Sequence, residues 1–227
     1  TFVEEEKSGN LACAQCHVEY YLAPDTNKVI LPWHNGIDTD NMIEYYDEIN
    51  FRDYEHPTTG AQILKAQHPE FETFKGSIHD AQGLTCIDCH MPRIAGEENL
   101  KSHQWTSPLK SKEGLTKSCI PCHGGEPEDI ISKVEGVQES VYKKTNEVSD
   151  ELLTFINRLG KAVEDGDLPD EVLEQLRGIH RNSQFMWDFV FVENSEGFHN
   201  SQKTHKNLDN ARELITEGIE ILEEHGK

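Results

Sequence analysis

Apolar residues in the second half of the chain return at the spacing of a helix. Ile130, Val134, Val137, Val141, Val148, Leu152, Phe155, Ile156 and Leu159 recur mostly at intervals of three, four or seven, with charged residues between them. That is the period of a long amphipathic helix. Gly124-Gly125-Glu126-Pro127 is a breaker that sets its start. Gly160 to Pro169 contains a turn, and Asp167-Leu168-Pro169-Asp170 opens a second helix predicted to run to about Val192. Asn194 to Asn200 interrupts the pattern. Leu208, Ala211, Ile215, Ile219 and Leu222 then line one face of a third helix, expected from Leu208 to Glu224.

The first half reads differently. Residues 1–126 are broken by turns such as Ala23-Pro24-Asp25 and His56-Pro57-Thr58-Thr59-Gly60. Short helices are expected at 39–48 and 60–68, and strand signals are nearly absent. The pattern predicts an all-α chain: a loop-rich region, 1–126, followed by a long-helix region, 127–227. No apolar run reaches the roughly 18–20 residues that span a bilayer. No basic-then-apolar leader opens the chain, so Thr1 is expected to be a mature or processed terminus or the edge of a fragment.

Charge narrows the partners. Lys and Arg number 21 against 42 Asp and Glu, a net charge of −21 over 227 residues. Such a surface lacks the basic patch that nucleic acid needs. Hydrophobic residues make up only 35% of the chain, which suggests that something other than side chains fills part of the core.

The six cysteines supply the candidate. They form three C-x-x-C pairs, Cys13/Cys16, Cys86/Cys89 and Cys119/Cys122, each followed at once by histidine: His17, His90 and His123. C-x-x-C-H is the attachment pattern of c-type haem, with two thiols for the vinyl groups and the adjacent imidazole for the iron. Disulfides, a thioredoxin-like pair and a zinc ribbon are the competing readings. A zinc ribbon has no use for the histidines, and no βαβ pattern surrounds any pair. Three covalent haems are therefore expected, each burying a large flat apolar surface that would account for the thin apolar composition. Haem attachment takes place outside the cytoplasm, so a periplasmic or extracellular location is expected as well.

Longer motifs carry a resemblance. Cys13-Ala-Gln-Cys-His-Val-Glu-Tyr-Tyr21, Leu64-Lys-Ala-Gln-His-Pro-Glu70, Cys86-Ile-Asp-Cys-His-Met-Pro92 and Asn194-Ser-Glu-Gly-Phe-His-Asn200 together resemble the pentahaem cytochrome c nitrite reductases, which reduce nitrite to ammonium. The match runs in order over almost the whole chain. In that family the catalytic haem carries C-x-x-C-K, whereas every pair here ends in histidine. The resemblance therefore implies the C-terminal three-haem portion, with the catalytic iron, the first two haems and an active-site arginine upstream.

It also implies roles. Tyr20 and His68 would lie over the distal face of the catalytic haem. Glu19 and Gln67 would bind Ca²⁺ through side-chain oxygens, and Tyr20 and Lys65 through backbone carbonyls, an all-oxygen set suited to a hard cation. His79 would be the distal ligand of the Cys119/Cys122 haem and His199 that of the Cys86/Cys89 haem. His103 would serve an upstream haem, an assignment that the variable loop 93–102 makes weaker. Nitrite, a quinol dehydrogenase or cytochrome as redox partner, and a homodimer or an assembly with the missing haem region are implied in turn. The competing function is a three-haem electron conduit that keeps the motifs without the chemistry. His34, His56, His180, His205 and His225 belong to no motif and are expected at the surface. Gln184-Phe185-Met186-Trp187 reads as helix core, with Trp187 placed to stack on a haem edge.

Overall fold

The computed structural model describes residues 6–94 and 96–227; Thr1, and Ala95 of the 93–102 loop, lie outside them. The chain is mostly helical. Short helices occupy the first half: α1 (Ser8–Leu11), α2 (Thr39–Glu48), α3 (Glu70–Phe74), α4 (Ile78–Ala81), α5 (Cys86–His90), α6 (Lys112–Ser118) and α7 (Ile120–His123). Three long helices follow, α8 (Pro127–Asp165), α9 (Asp170–Phe191) and α10 (Ser201–Glu224).

Local chemistry marks the ends of the long helices. Gly124 and Gly125 have φ of 65° and 77°, backbone that favours glycine, and they break the chain before α8. Glu126 then caps α8 reciprocally with Asp129, and Pro127 fills the first turn where no N–H is needed. Gly166 closes α8 in the left-handed conformation. The α10 start lies earlier than periodicity predicts, because the Asn200 side chain accepts from Lys203 N and adds a polar turn that no apolar stripe marks.

Cross-helix contacts give the packing. Lys144 pairs with Asp209, Arg212 with Glu151, and Arg158 with Glu223, so α8 and α10 run parallel. On α9, His180 meets Phe155 and Trp187 reaches Thr145, so it runs antiparallel between them. Val148, Phe155, Leu159, Leu176, Phe185, Leu208, Ala211 and Leu222 have no exposure at all. Met42, Ile43 and Tyr46 of α2, with Leu64 and Ala66, belong to the same cluster, so the two regions share one core.

The expected helix at 60–68 does not form. Gln62–Ile63 is a strand pairing with Tyr54–Glu55, and the backbone beyond it is not helical before α3. Ala61, Ile63, Leu64 and Ala66 are buried, a spacing that a short window cannot separate from a helical one. Two other antiparallel hairpins occur, Tyr21–Leu22 with Val29–Ile30 and Arg93–Ile94 with Glu97–Lys101. At two residues in most strands, they are too short for an alternating pattern to reveal.

Candidate haem and cation sites

Each C-x-x-C-H folds into one helical turn. His17 N donates to Cys13 O at 2.9 Å and His123 N to Cys119 O at 3.0 Å, while Cys86–His90 is the helix α5. Positions i, i+3 and i+4 then share one side of the turn. All six thiols are free of disulfides.

Cys16 and Cys122 are exposed, while Cys13, Cys86, Cys89 and Cys119 are half-buried. Cys119 packs against the small cluster of Leu115, Ile130 and Val134, whereas Cys122 lies beyond it, just before the Gly124-Gly125 break. Cys16 ends its turn beside the exposed ring of His17, outside both apolar clusters. The second thiol of the first and third pairs thus stands at the surface of this chain, not within its side-chain core.

The histidine rings are oriented from behind. His90 Nδ1 lies 3.1 Å from Thr106 O, and His17 Nδ1 lies 3.3 Å from Glu70 Oε2. Holding Nδ1 this way fixes the tautomer and leaves Nε2 for a metal. His199 is held in the same manner, its Nδ1 2.7 Å from Glu193 Oε1. Burial alone would raise the Glu193 carboxyl, but the bond and charge of His199, with Ser195, outweigh it and hold it below the ordinary range. His103 Nδ1 bonds Lys101 O at 3.0 Å.

Two pairs of histidines meet with their ring planes steeply inclined, at 69° and 67°. The His79 and His123 centroids are 6.0 Å apart, and those of His90 and His199 are 6.2 Å apart. Two metal–imidazole bonds of about 2 Å each leave about 1 Å on either side, close to the distance from a ring nitrogen to its own centre. The spacing therefore suits an iron held between each pair. Among the described residues His17 faces no second histidine, and its ring is 60% exposed.

A separate polar cluster joins Glu19, Lys65 and Gln67, with Tyr20 and His68 next to them in sequence. Gln67 N donates to Glu19 Oε2 at 2.7 Å, and Tyr46 Oη donates to Glu19 Oε1 at 3.1 Å. Three successive backbone N–H groups each end on a carboxylate: Lys65 on Asp53, Ala66 on Asp188 and Gln67 on Glu19. This is why 64–67 is not helical. The Gln67 side-chain NH2 also donates to Lys65 O at 3.4 Å. Lys65 Nζ points away to Asp188 at 2.8 Å, which leaves its carbonyl as the group turned to this cluster.

Glu19 is fully buried, and behind it Glu72 Oε1 accepts from Glu19 N at 2.9 Å and Trp33 Nε1 at 2.7 Å. The other oxygen of Glu72 is buried with no hydrogen-bond partner among the described residues. Burial pushes the Glu72 carboxyl up to about 8 and the Glu19 carboxyl well above its usual range, with Glu72 adding to the rise in Glu19. Two buried carboxyls this close create an electrostatic demand for positive charge. Tyr20 is half-buried and His68 exposed, each adjacent in sequence to the bonded Glu19–Gln67 pair.

Glu70, Glu72, Glu193 and Asp188 are the residues that sequence reasoning missed. The one available signal was an acidic residue inside an apolar stretch, as at Phe189-Val-Phe-Val-Glu193. His180 is a further correction: it is fully buried, not at the surface, between Thr59 Oγ1 at 3.0 Å and Gln184 Oε1 at 2.9 Å. A hydroxyl and an amide satisfy both ring nitrogens, and burial lowers its pKa to about 4. Trp187 stacks on Phe191 with centroids 4.8 Å apart.

Helices of this kind around three C-x-x-C-H turns define a multihaem c-type cytochrome. The chain matches the Cytochrome c552 family over residues 3–225 and belongs to it. It is 35% identical over 94% of its length to the cytochrome c nitrite reductase subunit NrfA of Nitratidesulfovibrio vulgaris, and covers 44% of that protein. It is 34% identical over its full length to cytochrome c-552 of Porphyromonas gingivalis, covering 46% of it. Among solved structures it superposes on the cytochrome c nitrite reductase catalytic subunit NrfA of Desulfovibrio desulfuricans, described for its two calcium sites. That match has a TM-score of 0.85 at 28% identity, over 97% of this chain and 50% of that one. The chain thus spans about half the length of the relatives it matches.

Proposed function

We propose that the chain is the three-haem part of an ammonia-forming cytochrome c nitrite reductase, working on nitrite with electrons from a quinol dehydrogenase or another cytochrome outside the cytoplasm. The observation that carries this reading is the 2.7 Å bond from Gln67 N to Glu19 Oε2. It folds the Glu19-Tyr20 and Gln67-His68 segments onto each other, and these are the residues on which the resemblance to the nitrite reductases rests.

Covalent haem would be held by Cys13/Cys16, Cys86/Cys89 and Cys119/Cys122, with His17, His90 and His123 as proximal ligands. His199 and His79 would be the distal ligands opposite His90 and His123, supported by the centroid separations of 6.2 and 6.0 Å. Such irons carry electrons and have no open position for substrate. Haem supplies one-electron storage; the chain's own residues orient its ligands and manage protons. The chain has no C-x-x-C-K, so the catalytic haem is assigned outside it. His103 is assigned to a haem outside it as well.

Glu19, Gln67 and the carbonyls of Tyr20 and Lys65 fit Ca²⁺. The donors are all oxygens, each Glu19 oxygen keeps acceptor capacity beyond its one hydrogen bond, and among the described residues the second oxygen of the neighbouring Glu72 has no hydrogen-bond partner. The cation's charge would draw an anion towards a pocket on an acidic protein. Tyr20 and His68 would hydrogen-bond the bound anion and deliver protons. The α8 face that carries the exposed Tyr142 and Leu153 is offered as a homodimer surface.

The test is nitrite-dependent ammonium formation by the haem-loaded protein encoded by the complete gene. Tyr20→Phe and His68→Ala should lower kcat by about 10²–10⁴, the usual worth of a proton-transfer group. Gln67→Leu should weaken Ca²⁺ binding. Full activity in all three variants would refute the assignment, and a parent gene without C-x-x-C-K would favour an electron conduit.

A further inference from the structure

Axial histidines differ here in what holds them. The His199 Nδ1 acceptor is a buried carboxylate, Glu193 Oε1 at 2.7 Å, itself fixed by Ser195 N, Ser195 Oγ and Gly197 N. The His17 Nδ1 acceptor is also a buried carboxylate, Glu70 Oε2 at 3.3 Å. His90 has only the neutral Thr106 carbonyl. Among the described residues, neither His79 nor His123 has a hydrogen-bond partner on Nδ1.

The two carboxylates are linked. Asn194, next to Glu193 in sequence, donates its backbone N–H to Glu70 Oε1 at 3.3 Å and its side-chain amide to the same oxygen. One continuous chain of bonds thus runs from His17 through Glu70 and Asn194 to Glu193 and His199.

We infer that Glu193 and Glu70 are positioning residues that lower the reduction potentials of two neighbouring haems relative to the third. An anionic acceptor on Nδ1–H gives the imidazole more negative character, makes it a stronger donor and favours ferric over ferrous iron. The Cys86/Cys89 haem would feel this most, because its bond is the shorter and its carboxylate is almost fully buried. The Cys13/Cys16 haem would feel it less, through a longer bond to a ring that is 60% exposed. The Cys119/Cys122 haem, without such a partner, would sit highest. The order rests on the ligand assignments of the preceding section.

Potentiometric titration of the haem-loaded protein, followed by visible and electron paramagnetic resonance spectra, tests it. Glu193→Gln keeps an acceptor but removes the charge, and one midpoint should move positive while the Cys119/Cys122 midpoint stays. Glu70→Gln should move a different midpoint the same way by less. Gln202→Ala changes an exposed side chain just beyond the loop, outside these bonds, and should leave all midpoints in place. Unchanged midpoints in Glu193→Gln and Glu70→Gln, with every haem still low-spin, would overturn the inference. Failure of the ligand reading looks different: His199→Ala would then convert no haem to high spin. If one glutamine variant does not fold, the other reads the effect on its own haem.

Discussion

The two regions of this chain share an apolar core and differ in the charged groups buried beside it. In 127–227 the interior is apolar side chains at close contact: a Cβ added at Gly218 would lie 2.6 Å from the Phe155 ring. In 6–126 the interior around the candidate sites is carboxylates. Glu19, Glu70 and Glu72 are all buried, and Asp188 and Glu193 reach them from α9 and the turn beyond it. The bundle is held by the hydrophobic effect and would tolerate any apolar jigsaw of the right volume. The haem region is held by directional bonds to charged acceptors, each costly to leave unmade. Stability and chemistry are thus divided between materials, and the long helices act as the frame on which the polar region is hung.

Four measurements break or sharpen that contrast. The largest effect belongs to the bundle. Phe155→Ala should cost about 3–5 kcal/mol in chemical denaturation, because a fully buried ring leaves a cavity. A cost below about 1 kcal/mol would mean that haem, not side chains, holds the frame.

Next is His180, at the seam between the two regions. Its folded pKa of about 4 lies below the ordinary 6.5, so the unfolded chain binds the extra proton between those values. Stability from this residue is full above pH 6.5 and is lost as pH falls towards 4, by on the order of 3 kcal/mol. Thermal midpoints of wild type and His180→Gln should converge over that window.

Asp188→Ala should cost about 1–3 kcal/mol, by leaving the buried Ala66 N–H without its acceptor. Amide exchange should rise at 64–67 and stay unchanged in α8. A uniform rise along the chain would erase the distinction between the regions. The smallest effect is expected for Arg212→Ala, whose pairs with Glu147 and Glu151 lie at the surface, at under about 1 kcal/mol and less in high salt.

Much of the fold was legible in the sequence, for an identifiable reason. The bounds of α8 follow from Gly124-Gly125 and Gly166, and the helix at 39–48 forms as expected, because caps and amphipathic stripes are local signals. The segment 60–68 was misread for the complementary reason. Its backbone N–H groups are taken by Asp53, Asp188 and Glu19, residues up to 122 positions away in sequence, and no local pattern announces such acceptors. His180 was misplaced because a histidine satisfied by Thr59 and Gln184 looks in sequence like any other histidine without a motif. Cys16 and Cys122 show the same limit: the motif spaces each thiol within its turn but carries no information on which side of the turn the rest of the chain covers.

The sequence by itself determined the cysteine–histidine turns and the helical frame, since both depend on spacings of three and four residues that a single turn converts into a shared face. The tertiary structure brings together the rings and side chains that the resemblance implied as partners: His79 with His123 across 44 residues, His90 with His199 across 109, and Glu19 with Gln67. It alone decided that Glu70 and Glu193 stand behind two histidines. A glutamate's role depends on what its carboxylate faces after folding. That is a property of packing between distant segments, and no spacing along the chain encodes it.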